Sequence, residues 1–163
     1  MLETATSFAQ LVLAVHILAV LAAFGVVLGY PLILLWAARL DPRSLPLLHD
    51  VRVMIGRSLV NPGLALVLIA GIYLASKWHQ WHEFYVQWGL GVAFVLGGLE
   101  GALVIRGERR LAELARRDVA ASAGGEGEVT WSAEYAALRA STGQVTWVMS
   151  VLIVTTVVLM TVR

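Results

Sequence analysis

Apart from Glu100, four stretches of the chain lack Asp, Glu, Lys and Arg: residues 4–38, 58–76, 84–105 and 140–162. Three of them are about as long as the roughly 20 apolar residues that carry a helix across a bilayer. The first, 4–38, is longer, so its helix should tilt, kink or protrude. Backbone amides in hydrocarbon need partners within their own segment, which selects helices over open strands. The pattern therefore predicts an all-α fold: an antiparallel, up-down-up-down bundle of four transmembrane helices at about 7–40, 47–76, 83–118 and 131–162. Residues 1–163 are expected to form one integral membrane domain.

Local signals place the breaks. Gly29-Tyr30-Pro31 is the expected bend of helix 1, because proline removes a backbone donor and crowds the preceding turn. Asp41-Pro42-Arg43-Ser44-Leu45-Pro46 reads as a turn, after which helix 2 starts near Leu47. Asn61-Pro62-Gly63 is expected to break or bend that helix. The short connection from Lys77 to Glu83 makes helices 2 and 3 antiparallel neighbours. On helix 3, Gly89, Ala93, Gly97 and Gly101 recur every four residues, a smooth stripe against which another helix can pack closely. Beyond Arg106, Glu113 precedes Arg117 by four residues while Leu111 and Leu114 share a face, so helix 3 is expected to continue into the cytoplasm. Ala123-Gly124-Gly125-Glu126-Gly127-Glu128 reads as a flexible linker before helix 4, which begins near Trp131.

Composition sharpens the picture. Hydrophobic residues make up 59% and charged residues 14%, unlike a soluble domain. The net charge of +1 says less than its distribution. Arg39, Arg43, Arg52 and Arg57 lie between helices 1 and 2, and Arg106, Arg109, Arg110, Arg116, Arg117 and Arg139 between helices 3 and 4. The opposite side holds only Lys77 and Arg163, so both long connections are expected inside and both termini outside. Trp78, Trp81, Phe84, Tyr85 and Trp88 mark the outer interface, with Trp36 and Trp131 at the inner one. The absence of cysteine excludes disulfides, thiolate metal sites and catalytic thiols. No signal peptide is expected, since Glu3 replaces a basic start and the first apolar stretch is too long.

Three sets of residues carry candidate chemistry. His16 is the sole group between Thr4 and Ala38 that can carry a charge near neutral pH, and such a group inside a crossing is costly. Ala19, Val20, Ala23, Val27 and Tyr30 follow on its face; such small neighbours admit either a flat ligand such as haem or a neighbouring helix. His16 is thus read as a histidine bonded to a polar side chain (Tyr73, Gln87, Thr155 or Thr156), a cofactor ligand or a proton relay. His79, His82 and Glu83 on the outer connection have donors suited to zinc or copper, although an interfacial loop accounts for them too. Glu100, near the inner end of helix 3, is expected to form a structural ion pair with Arg57, or else to serve a proton path. His49 is assigned no role. No phosphate-binding loop, nucleophile–base pair or hydrolytic carboxylate pair is present, and nothing suggests nucleic-acid binding.

Val15-His16-Ile17-Leu18-Ala19-Val20, with Tyr30-Pro31 beyond, resembles helix 1 of the J-type protoporphyrinogen oxidases of bacterial membranes. Met54, Arg57, Asn61-Pro62 and Gly71 resemble that family's second helix. The likeness extends loosely to the copper-resistance D membrane proteins, and in its overall order of helices to an uncharacterised family of bacterial integral membrane proteins. It implies a bacterial inner-membrane bundle associated with haem, with His16 as the ligand. The chain departs from the oxidase pattern at Gln87, in place of a lysine, and at Gly98, in place of a histidine. The expected function is a non-catalytic bundle or accessory subunit in the lipid bilayer, self-associating or accompanying another membrane protein. The alternatives are a haem- or metal-binding redox protein using His16 and a proton or small-solute transporter using Glu100.

Overall fold

The computed structural model describes residues 2–122 and 129–162, with side chains from residue 8 onward. Six α-helical segments follow one another: α1 (Leu2–Leu40), α2 (Leu45–Ile55), α3 (Asn61–Lys77), α4 (Phe84–Leu99), α5 (Ile105–Ala121) and α6 (Ala133–Thr161). A π-helical turn at Gly56–Val60 joins α2 to α3 without a break, and another at Glu100–Val104 joins α4 to α5. The result is four long helices packed antiparallel, each long and apolar enough to cross a membrane.

Several boundaries differ from expectation. A 3-10 turn at Pro42–Ser44, capped by Asp41 accepting from the Arg43 N–H at 3.0 Å, brings the second helix to its start at Leu45. The fourth begins at Ala133, where the Ser132 hydroxyl accepts from the Tyr135 N–H. α1 continues unbroken through Pro31, and the second long helix runs on through Pro62. Its irregularity falls one turn earlier, where the Asn61 N–H reaches back to the Gly56 carbonyl. Proline lacks the N–H that would continue the ordinary ladder, so a widened turn before it is a physical outlet. Extension of helix 3 beyond Arg106 is observed as α5. The linker at Ala123–Glu128 lies outside the described residues.

Two apolar clusters hold the helices together. One gathers Phe24, Val27, Leu64, Leu96, Met149 and Ile153 in the middle of the bundle. The other, at the arginine-rich end, gathers Leu111, Leu114, Ala115 and Tyr135, with Trp131 and Leu138 packed against it. Leu18, Leu21, Leu32, Trp36, Ile69, Phe94 and Trp147 instead face outward, as lipid-facing residues do.

α1 packs most closely on α3. A Cβ at Gly63 would stand 3.0 Å from that of Ala23, so small residues set this crossing. The stripe on helix 3 divides instead. Gly89 and Ala93 are buried, with Met160 of α6 over Gly89, whereas positions 97 and 101 have open space around them. The π-turn contributes to that division, because a widened turn shifts the helical phase of the residues beyond it and carries Gly101 off the packed face.

Candidate functional site

Between the two apolar clusters lies a layer of buried polar side chains. The helical periods assemble it. Leu45, His49, Arg52 and Gly56 recur at three to four residues along α2 and its π-turn, and all are buried. Glu108 stands in phase with Ile105, Leu111, Ala112 and Ala115 on the buried face of α5. Tyr30 reaches in from α1, and Tyr135 and Thr142 from α6.

Arg52 donates from both terminal amines to the two carboxylate oxygens of Glu100, at 2.7 Å each. Arg52 is 2% exposed and Glu100 0%, so the charges compensate each other out of water. Two parallel bonds suit the planar guanidinium fork. The guanidinium also lies 5.6 Å from the centre of the Tyr30 ring, a cation–π contact, while the Tyr30 hydroxyl donates to the Leu48 carbonyl. Gly56 makes this arrangement sterically feasible: a Cβ there would stand 2.7 Å from Glu100 Oε1 and 3.0 Å from the Arg52 guanidinium.

His49 forms the second unit. Its Nδ1 is 2.6 Å from Glu108 Oε2 and its Nε2 is 3.1 Å from the Tyr135 hydroxyl. With Nδ1–H donating to the carboxylate, Nε2 is left to accept from the Tyr135 O–H. Every fully buried side-chain polar atom among the described residues has a hydrogen-bond partner. The layer is therefore saturated, the condition under which a buried polar network rigidifies a core instead of weakening it.

A cleft of about 430 Å3 opens over this layer between α1 and α6. His49, Arg52 and Glu108 floor it, and Leu28, Leu32 and Leu35 form the α1 wall. On α6, Thr146 donates to the Thr142 carbonyl at 3.0 Å and Ser150 to the Thr146 carbonyl at 2.9 Å, so both hydroxyl protons are spent on their own helix. Arg139 lies at the arginine-rich end of the cleft and makes no ion pair with any described carboxylate.

The residues singled out from the sequence are distributed differently. Glu100 is paired, but with Arg52; Arg57, five residues on, is exposed, because it lies on the opposite face of the π-turn. His16 donates from Nδ1 to the backbone carbonyl of Val67 at 3.1 Å, not to a polar side chain. Of the expected partners, Thr156 accepts from Trp88, Gln87 donates to the Trp81 carbonyl, Tyr73 packs its ring against Phe8 and Thr155 is exposed. The small residues beside His16 receive a helix: Ala23 meets Gly63, and the His16 ring lies against Gly71. His82 and Glu83 approach to 3.5 Å, while His79 closes α3 with φ 57°. No group of three His, Asp or Glu side chains among the described residues converges as metal ligands do.

His49, Arg52, Glu108 and Arg139 were not recognisable as a set from the apolar crossings, since all lie at or beyond their ends. A usable signal was present: His49, Arg52 and Glu108 occupy positions where the local helical period calls for apolar residues. Comparison with known proteins identifies no family for the chain, and neither a curated protein nor a solved structure matches it.

Proposed function

We propose that this is a non-catalytic, ligand-binding bundle of a bacterial inner membrane, with its arginine-rich end in the cytoplasm and both termini outside. The observation that carries the reading is the contrast between floor and mouth of the cleft. Below, each ionisable group is already held by a protein partner. At the mouth, Arg139 offers a cation that no described carboxylate compensates. A volume of about 430 Å3 falls within the range of small-molecule sites, about 300–1,000 Å3. The arrangement favours an apolar molecule bearing one anionic group. Proton transport has less support, because Glu100 is committed to Arg52 and an apolar cluster fills the middle of the bundle.

The test uses anilinonaphthalene sulfonate, an aromatic probe with a single anionic group. In mild detergent it should bind the purified protein saturably, one molecule per chain, above its partition into empty micelles. Gly143→Trp, which fills the cleft from a position with open space around it, should abolish that binding. Purely linear partition, identical with and without protein, would overturn the reading.

A further inference from the structure

We infer that the natural occupant of the α1–α6 cleft is one anionic phospholipid, taken sideways from the leaflet at the arginine-rich end. The inference rests on the cleft being a ligand site, and it specifies the ligand. Depth is the first argument. From Arg139 to Ser150 the cleft follows α6 for eleven residues, about 16 Å at 1.5 Å per residue. That is about half of a 30 Å hydrocarbon core, the depth of one leaflet.

Polarity along that depth is the second. The cation stands at the end where a headgroup sits, while Leu28, Leu32 and Trp147 line the remainder beside Thr146 and Ser150, whose hydroxyl protons are spent on their own helix. Leu32 and Trp147 are 68% and 70% exposed, so the mouth opens toward lipid and not into the bundle. Chemistry at the floor is the third. His49, Arg52 and Glu108 have their hydrogen bonds satisfied within the protein and expose almost no surface, so an acyl chain above them strands no polar group. A soluble anion would leave the leucine walls unused, and a zwitterionic lipid would bring a cation of its own to Arg139.

Melting of the purified protein in mild detergent tests this, with phosphatidylglycerol, phosphatidylcholine and glycerol phosphate as probes. Phosphatidylglycerol should raise the melting temperature saturably, phosphatidylcholine less, and glycerol phosphate not at all. Arg139→Gln should weaken the phosphatidylglycerol effect about fivefold, the worth of one cation near an anionic surface. Arg109→Gln, an exposed cation on α5, should leave it unchanged. Gly143→Trp should remove it. Equal stabilisation by glycerol phosphate, or equal loss in Arg109→Gln and Arg139→Gln, would overturn the inference. A dimer that Gly143→Trp blocks and phosphatidylglycerol fails to dissociate would do so as well, by assigning the cleft to a second copy. Saturable binding of anilinonaphthalene sulfonate without a phosphatidylglycerol effect would sink the lipid assignment alone and leave the cleft as a site.

Discussion

Arg52 and Glu100 meet through two parallel hydrogen bonds where the π-turns of neighbouring helices lie side by side. Gly56 begins one of these turns and Glu100 the other, and a Cβ on the glycine would collide with the carboxylate. The pair thus couples the two places where the backbone leaves the regular α-helix. π-turns are uncommon and concentrate at functional positions. Here they position the floor of the cleft.

Removing one partner of this pair should be worse than removing both. Glu100→Gln leaves a buried guanidinium without its counter-charge, at an expected cost of about 3–5 kcal/mol. Arg52→Met combined with Glu100→Leu replaces the pair by apolar side chains and should cost less than either Arg52→Met or Glu100→Leu alone. Denaturant titrations in mixed micelles, run on both single variants and the double, measure the difference. A double variant as unstable as the two singles added together would show that the charges are not coupled.

Gly56→Ala tests the steric side of the same site. The added methyl would meet Glu100 Oε1 at 2.7 Å, closer than side chains tolerate, and the bidentate geometry leaves the carboxylate little freedom to retreat. Overpacking of this kind costs about 1–3 kcal/mol. On helix propensity alone, alanine would stabilise by about 1 kcal/mol, so even the sign of the change is diagnostic.

Gly63 and Gly97 provide a matched pair of glycines. Gly63→Leu should wedge α1 from α3, because Ala23 and the Ala19 carbonyl stand 3.0 and 3.5 Å from its Cβ position. Gly97→Leu meets open space, so only the gain in helix propensity is left, and it should stabilise the monomer by about 0.5–1 kcal/mol. Thermal melts should separate the two variants clearly. Sizing of Gly97→Leu against the parent in detergent adds a second reading: a change in oligomeric state would assign this side of helix 3 to contacts between copies.

The four long helices were legible because their charge-free runs match a membrane's thickness, and continuation beyond Arg106 was legible because Leu111 and Leu114 hold a helical stripe. A buried partner for Glu100 could be anticipated from the cost of an unpaired intramembrane acid. Its identity could not. Choosing between Arg52 and Arg57 depends on which face of α2 turns inward, and the π-turn at Gly56–Val60 alters that phase just where Arg57 lies. His16 shows the same limit in another form. Its partner is the Val67 carbonyl, and every residue has a carbonyl, so no side-chain pattern marks the one that will accept.

His79 closes α3 in the left-handed region, with φ 57°, and its backbone is committed to the helix end. Its N–H reaches the Ser76 carbonyl at 3.4 Å, and the next N–H, of Gln80, reaches the Ala75 carbonyl at 2.9 Å. This pair of bonds is the Schellman motif, whose left-handed position is normally a glycine because a Cβ is strained there. Histidine tolerates that conformation better than most residues but still bears part of the strain. His79→Gly should therefore stabilise the protein by about 0.5–1 kcal/mol, and His79→Val, β-branched, should destabilise it by more than that. If His79 instead contributes a ligand to a metal shared with His82 and Glu83, zinc should stabilise the parent and not His79→Gly. Melting curves of the parent and both variants, with and without added zinc, distinguish a strained helix cap from a metal ligand.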